Sequence, residues 1–299
     1  MHTVPKGYLR AFADKSPSRG APNVWQFGRE ATEGKLISVR DASVRTDIYT
    51  LRGEDGRADT RIETELLSVV DSVFPAAVHS LSSGETPEYW DWRNIFRFMA
   101  FQLARTPQIF QILRDEGIRQ GVGDGTNFPQ LAMVHEAPFL EKWLCGMAWT
   151  LCWHRSTLPL LTSDSPVVMW ADRGDGAEVG VGFEESGLRI LFPLTPKMCL
   201  TATQTEATLK AVLDEPADSN PHFSDTYPLR IETGRLSIGQ AVMLNQVTVS
   251  NAHRYVYSNS ADDNVRLFLK DQFFGLSGLV RRSDRKPIGS LVDPEEGVG

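Results

Sequence analysis

The hydrophobic pattern of this chain changes once, near residue 155, and that change limits the folds open to it. Before it, apolar residues recur at helical spacing, as in the stripe that runs from Ile62 to Ala77. From residue 158 onward, short apolar runs alternate with turn residues. Helices followed by strands, without strict alternation, favour an α+β fold over a doubly wound one. We therefore expect a single compact α+β domain with a mixed or antiparallel sheet flanked by a largely helical region.

This domain is expected to occupy residues 1–280. Within it, the sequence divides into a loop-rich N-terminal layer (1–58), a helical region (59–155) and a sheet-rich region (156–258). Residues 281–299 are charged and then contain Pro and Gly, which predicts a frayed tail.

Local signals predict the individual elements. A Thr-x-x-Glu capping box at Thr60 and Glu63 predicts the start of a helix of about 20 residues. Further helices are predicted over 90–104, from Thr106-Pro107, over 131–153 with a break at Pro138, over 238–252 and over 265–274. Strands are predicted at 24–27, 36–39, 158–161, 167–170, 188–192, 198–202 and 254–257, and those between 158 and 202 are expected to pair in one sheet.

The composition is that of a globular protein, with 41% hydrophobic and 23% charged residues. The longest apolar run, Trp143 to Trp153, is far shorter than the roughly 20 residues of a membrane-spanning helix, so no membrane span is expected. Pro5, Lys6 and Arg10 interrupt the apolar stretch that a signal peptide would need. The three cysteines lie in apolar surroundings without disulfide or zinc spacing, which indicates reduced core residues and a cytoplasmic location.

The charge is unevenly distributed along the chain. The net charge of −7 argues against a protein that coats nucleic acid. Residues 1–58 nevertheless contain ten Lys and Arg against seven Asp and Glu. This balance is compatible with scattered solvated charge and with a local basic face that binds a polyanion.

The sequence lacks the motifs of several familiar chemistries. It contains no Gly-x-Gly-x-x-Gly and no phosphate loop ending in Lys, so no nucleotide cofactor is predicted. Ser163 lacks the glycines that a nucleophile elbow has two residues on either side of the serine. None of the six histidines lies three or four residues from another His or Cys. We predict no metal at a local site, and a metal site assembled across the fold stays open.

Polar residues occur where the periodicity predicts burial. Asn245 and Gln102 each continue an apolar helical stripe, either as a core amide bound to neighbouring backbone or as a ligand contact. Ser163 and Asp164 lie between two apolar runs, as expected for a turn. Alternatively, Asp164 is a general base or an anchor for a cation, and Ser163 is its hydrogen-bond partner or a nucleophile.

The N-terminal segment combines polar and apolar residues, which predicts that it packs on the rest of the domain. His2, Tyr8 and Arg10 alternate with apolar residues that can pack on the domain. We expect these three to lie near Ser163 and Asp164 in one pocket. The structural alternative is an ion pair between Arg10 and a carboxylate such as that of Glu63.

The same blocks resemble, in order, the family catalogued as domain of unknown function 4238. They are His2-x-x-Pro5-x-x-Tyr8-Leu9-Arg10-x-Phe12, Tyr49, Ile62-Glu63, Arg105-Thr106-Pro107, Leu161-Thr162-Ser163-Asp164-x-Pro166, Phe192-Pro193-Leu194, Asn245 and Arg254-Tyr255-Val256-Tyr257-Ser258. The resemblance extends from residue 2 to about residue 258. It departs from the family at Ser165, where Asn is usual, so a hydrogen-bonding role for that side chain is in doubt.

Some fungal proteins that resemble this family are arginine-containing cyclodipeptide synthases, which join aminoacyl groups delivered by tRNA. The resemblance therefore implies a tRNA-dependent aminoacyl-transferring enzyme without a cofactor, whose partners are aminoacyl-tRNA and a small aminoacyl substrate. Its predicted catalytic residues are Asp164, Ser163, His2 and Glu63, and its predicted substrate-binding residues are Arg10, Tyr8, Gln102, Arg105 and Asn245.

Two alternatives stay open beside the aminoacyl-transferring enzyme. One is a hydrolase or nuclease that uses His2, Glu63 and Asp164. The other is a non-catalytic ligand-binding protein. No oligomeric state is predicted from the sequence.

Overall fold

A computed structural model describes most of the 299-residue chain. The described residues are 3–14, 20–29, 33–44, 48–53, 55–83, 87–119, 121, 127–174, 176–183, 185, 187–204, 229–273 and 280–282. His2, one of the predicted catalytic residues, lies outside them, as do residues 283–299 of the predicted tail. The chain is an α+β domain, as the sequence predicts.

The helical part lies mostly in the first half of the chain. Its helices are α1 (Lys6–Leu9), α2 (Ser68–Ser83), α3 (Tyr89–Ala104), α4 (Pro107–Arg119), α5 (Phe128–Cys145), α6 (Ile238–Asn251) and α7 (Asp263–Phe273). A 3-10 turn, Arg10–Phe12, continues α1, and a π-helical segment, Ile62–Leu67, leads directly into α2.

The strands assemble into two larger sheets and a small ribbon. They are β1 (Asn23–Gly28), β2 (Lys35–Ser38), β3 (Leu51–Arg52), β4 (Ala58–Asp59), β5 (Ala148–Trp153), β6 (Thr162–Ser163), β7 (Val168–Asp172), β8 (Ala177–Val179), β9 (Arg189–Thr195), β10 (Met198–Thr203), β11 (Arg230–Arg235), β12 (Tyr255–Ser258) and β13 (Val280–Arg282). The seven-stranded sheet has the order β11-β5-β10-β9-β7-β8-β13 and is mixed, because β11 and β13 pair parallel to their neighbours. The four-stranded sheet, β2-β1-β12-β6, is antiparallel.

Helix α3 is the centre of the helical layer. It is apolar nearly all round, which predicts a buried helix, and it packs against both α2 and α5. Aromatic rings then join this layer to the N-terminus and to β9: Tyr8 stacks on Phe192, and Phe74 stacks on Phe98 with 3.8 Å between ring centroids. All four rings are buried, and each contributes about 1.5–3 kcal/mol to folding.

The predicted helix over 131–153 is wrong in its last part. Helix α5 passes through Pro138 and ends at Cys145, and Ala148–Trp153 forms β5 instead. The chain turns at Gly146, and the segment then pairs with β10 on one side and with β11 on the other. An apolar run of this length fits a helix or a buried strand equally well, and the two partner strands decide between them.

Other differences concern strand pairing and the tail. The run 158–161 forms no strand, and β6, which follows it, pairs with β12 rather than with the sheet that contains β7, β9 and β10. Strand β11 is mostly exposed at a sheet edge, so it lacks the apolar pattern by which a strand is predicted. Arg281 and Arg282, at the start of the predicted tail, belong to β13.

One described helix, Ile62–Ser83, is long and apolar enough to cross a membrane by length and composition, with a mean hydropathy of 1.2. One of its faces buries Val70, Phe74 and Ala77 against the core. The opposite face is exposed and largely polar, with Thr64, Glu65, Ser68, Ser72, His79 and Ser82. This distribution is typical of an amphipathic helix at the surface of a globular domain.

Candidate functional site

A cavity of about 440 Å³, which we call the N-terminal cleft, lies between the start of the chain and the helix Ile62–Ser83. Its walls combine blocks that are far apart in the sequence. The lining residues are Pro5, Lys6, Gly7, Arg10, Tyr49, Glu63, Leu67, Ser68, Asp71, Ser72, Pro75 and Arg105. Most of its polar groups come from charged side chains, so the cleft is suited to a polar ligand.

A partly buried ion pair lies at this cleft. The guanidinium of Arg105, at the C-cap of α3 and 1% exposed, donates to Asp71 from Nη2 at 2.8 Å and from Nη1 at 3.3 Å. Gln102, with its amide oxygen turned toward the guanidinium, accepts from Arg105 Nε at 2.7 Å. The Arg105 guanidinium also lies over the Phe98 ring, 5.6 Å from its centroid. These contacts hold the guanidinium in one position and balance its charge.

Tyr49 places a phenol at the same cleft. Its side chain is buried, and burial raises the pKa of Tyr49 well above its ordinary value. The positive charge of Arg105 opposes that rise in pKa, while the negative charges of Asp71 and Glu63 add to it. The phenol therefore stays protonated at neutral pH and can hydrogen-bond to a ligand but cannot serve as a base.

Three charged side chains at the cleft take no part in ion pairs between described residues. Glu63 is half-buried, whereas Lys6 and Arg10 are exposed, and none of the three forms an ion pair with another described residue. The predicted capping box does not form, because the helix start has no side-chain cap and Thr60 accepts the Glu63 N–H through its backbone carbonyl. The Glu63 carboxylate is thus left available to a ligand.

Asp164 lies in a different place and has a different environment. Its carboxylate accepts three backbone N–H bonds, from His253 at 2.8 Å, Arg254 at 2.7 Å and Tyr255 at 3.2 Å. Burial raises the pKa of Asp164, and the three N–H donors oppose that rise. The carboxylate therefore fixes the turn between α6 and β12. It also lines a second pocket of about 330 Å³, together with Thr3 and Ser43 among others.

Ser163 is engaged in a local turn. Its Oγ donates to the carbonyl oxygen of Ser165 at 2.9 Å and accepts the Ser165 N–H at 3.1 Å. The side chain is fully buried, and no basic group of the described chain is hydrogen-bonded to the hydroxyl. These contacts are those of a Ser turn, the structural alternative raised by the sequence.

Tyr8 and Asn245 connect elements of the core. The fully buried Tyr8 hydroxyl is 2.6 Å from Thr162 Oγ1 and donates to the Pro193 carbonyl at 2.7 Å. The Asn245 amide accepts from the Leu161 N–H at 2.9 Å and donates to the Pro159 carbonyl at 2.9 Å. Asn245 is 1% exposed, so both of its contacts are shielded from water.

The structure brings together only part of the predicted set. The N-terminal cleft is lined by Arg10, Glu63 and Arg105. Gln102 does not line it but contacts Arg105. Tyr8, Ser163, Asp164 and Asn245 lie elsewhere. The prediction that Arg10 and Asp164 share one pocket is wrong, since the short helix α1 buries Tyr8 and leaves Arg10 facing the cleft.

Sequence reasoning missed Lys6, Tyr49 and Asp71 as site residues. Asp71 had a usable signal, because it is an acidic residue at helical spacing from the apolar residues Leu67, Phe74 and Val78. Lys6 had no such signal, since surface lysines are common. Within the part of the chain that the structure describes, no three His, Cys, Asp or Glu side chains are grouped so that they could hold a metal ion.

Comparison with known proteins gives a family and no named relative. No curated protein and no solved structure matches the chain significantly. The family described as Protein of unknown function (DUF4238) matches residues 1–262. Since this match covers most of the chain, the protein belongs to that family.

Proposed function

We propose that the protein is a tRNA-dependent aminoacyl-transferring enzyme, of the kind that makes arginine-containing cyclic dipeptides, and that the N-terminal cleft is its active site. The observation that carries the proposal is the Glu63 carboxylate, which shares the cleft with two cations, Lys6 and Arg10, and none of the three side chains is paired with another described residue. A substrate with a cationic side chain, an amine and a phosphate-bearing carrier needs groups of both signs.

The charge arrangement fits the chemistry of amide formation from an ester. The amine nitrogen of one aminoacyl group attacks the ester carbonyl carbon of the other, and the ribose oxygen of the tRNA leaves. Glu63 takes the proton from the attacking amine and delivers it to the ribose oxygen as that oxygen leaves, so the carboxylate is regenerated for the next attack. Arg10 donates to the oxyanion that develops on the carbonyl. A second attack of the same kind closes the ring, and no other energy source is required because the ester is already activated.

The buried groups of the cleft position the substrate. Arg105 is already neutralised by Asp71, so it contributes a fixed set of donors rather than a free charge. Each carboxylate oxygen can accept more than one hydrogen bond, so Asp71, whose side chain is 27% exposed, can also accept from an arginyl guanidinium. Tyr49, protonated at neutral pH, supplies a neutral hydrogen bond beside them.

Lys6 is the exposed cation that contacts the tRNA phosphates, and Arg10 beside it donates to the oxyanion. Lys6 and Arg10 lie where the cleft opens to solvent, and they belong to the N-terminal region with an excess of basic residues. Phosphate contacts of this type make binding depend strongly on salt. We expect Lys6→Ala to raise KM for the tRNA substrate at moderate salt, with little change in kcat.

The decisive experiment compares two carboxylates on the same turn of helix. Purified protein is incubated with arginyl-tRNA, alone and with other aminoacyl-tRNAs, and cyclic dipeptides are measured by mass spectrometry. Glu63→Gln is expected to lower kcat on the order of a hundredfold while folding normally. The matched control is Glu65→Gln, because Glu65 is exposed and does not line the cleft. Equal rates for the two variants, or no product from any aminoacyl-tRNA with the unmodified protein, would refute the proposal.

A further inference from the structure

A second cavity, of about 530 Å³, lies between the seven-stranded sheet and α6. We call it the sheet cavity and define it by Cys152 on β5, Thr201 on β10, Trp170 on β7, Arg189 on β9 and Met243 on α6. Cys152 is therefore reachable by a small molecule that enters the cavity, although only 6% of the residue is exposed. The N-terminal cleft shares no lining residue with it.

Cys152 faces a second thiol across the sheet. Strands β5 and β10 are antiparallel, and Cys199 is the residue directly opposite Cys152. Opposite residues of such a pair direct their side chains to the same face, with Cα atoms about 4.5–5.5 Å apart. A disulfide requires Cα atoms roughly 4.4–6.8 Å apart, so the register meets this requirement.

The two thiols differ in accessibility and acidity. A hydrogen bond from Cys199 and a contact with Thr201 Oγ1 at 3.7 Å together lower the pKa of Cys152 to about 7, against the opposing effect of burial. Roughly half of Cys152 is then thiolate at neutral pH, and thiolate is the reactive form. Cys199 is fully buried, and its pKa is raised because it donates this hydrogen bond and is desolvated.

We propose that Cys152 and Cys199 form a dithiol site that a hydroperoxide oxidises to an intramolecular cross-strand disulfide. The Cys152 thiolate attacks one oxygen of hydrogen peroxide, the O–O bond breaks, and the released hydroxide takes up a proton to become water. The resulting sulfenic acid is then attacked by Cys199 sulfur, which forms the S–S bond and releases a second water with the Cys199 proton. Two thiols lose two electrons, and one peroxide gains them.

The third cysteine supplies an internal control. Cys145 is at the end of α5, and burial raises its pKa to about 12. It lines neither the sheet cavity nor the N-terminal cleft, so it is expected to stay reduced under the same treatment.

The test uses the full-length protein under native conditions. It is treated with hydrogen peroxide, unfolded, alkylated and digested, and the peptides are identified by mass spectrometry. We expect a peptide pair joined through Cys152 and Cys199, lighter by about 2 Da than the reduced pair, with Cys145 fully alkylated. Cys145→Ser should give the same linked pair. Cys199→Ala should stop at a Cys152 sulfenic acid, which dimedone traps.

Several results would overturn the proposal. Full alkylation of all three cysteines after peroxide treatment would show that no disulfide forms. A disulfide that includes Cys145, or one between two molecules, would show that the register does not direct the reaction. Faster native alkylation of Cys145 than of Cys152 by iodoacetamide would contradict the assigned reactivity, and this measurement does not depend on any variant folding.

Discussion

Replacing Asn245 tests whether a buried polar side chain stabilises the fold or binds a ligand. Its amide spans the Leu161 N–H and the Pro159 carbonyl, and the residue is 1% exposed. Asn245→Ala leaves both backbone groups buried without partners, and each unsatisfied group costs about 1–3 kcal/mol. Ala is the better helix former by roughly 0.5 kcal/mol, which offsets a small part of that cost. We expect the free energy of unfolding to fall by about 1.5–5.5 kcal/mol.

The assay is urea unfolding followed by tryptophan fluorescence. The midpoint should fall while the slope m stays unchanged, because the same surface is exposed on unfolding. The matched control is Gln246→Ala, which removes the neighbouring amide on α6. Gln246 is half-buried and makes no hydrogen bond with another described residue, so its loss should change stability by less than about 0.5 kcal/mol.

The same pair of variants separates a structural role from a ligand contact. If Asn245 binds substrate instead of fixing the core, Asn245→Ala would unfold at the same urea concentration as the unmodified protein and would lose activity or ligand binding. That result would refute the reasoning, since it would mean that the two buried backbone groups do not depend on the amide.

Polar contacts of Tyr8, Asp71 and Asp164 should also contribute to stability. Tyr8→Phe removes a hydroxyl with two buried partners and should lower the free energy of unfolding by about 1–3 kcal/mol in urea titrations. Asp71→Asn leaves the Arg105 guanidinium buried without its anion and should cost roughly 2–3 kcal/mol, with faster proteolysis of the native protein as an independent readout. Burial raises the pKa of Asp164, so the native state binds a proton more readily than the unfolded chain does. The free energy of unfolding should therefore fall as pH rises above the ordinary carboxyl pKa. Asp164→Asn should flatten that slope.

The sequence predicts the helices better than the strand pairings, and the reason is physical. Helix α3 can be predicted because its own residues set its apolar surface. Strand β5 could not be, because its apolar run fits a helix as well, and its partners β10 and β11 lie about 50 to 80 residues further along the chain. The division into two sheets depends on the same distant pairings, which a local pattern does not encode.

Prediction of the site was limited by a different property. Asn245 and Asp164 are polar residues in apolar stretches, which predicts that they need partners, and the structure supplies these partners from the protein itself. The sequence predicts Glu63 both as part of a capping box and as a catalytic residue; the capping box is wrong, because the helix begins with a π-helical segment that makes no use of the Glu63 carboxylate. Sequence patterns identify which side chains need a partner, but only the folded backbone decides whether that partner is internal.

Polar residues of this chain can be separated into structural and functional ones by whether their partners lie within the protein. A side chain whose donors and acceptors are all bound to backbone, as those of Ser163 are, cannot also bind a substrate without breaking contacts that each contribute about 0.5–1.5 kcal/mol. Glu63 and Arg10 break no contact between described residues when they bind a ligand, so their whole interaction energy is available to it. Arg105 lies between these cases, because its bonds to Asp71 fix it in place while it still lines the cleft. The site therefore combines one preorganised cation with exposed groups at its opening, and the preorganised part costs the ligand no ordering entropy.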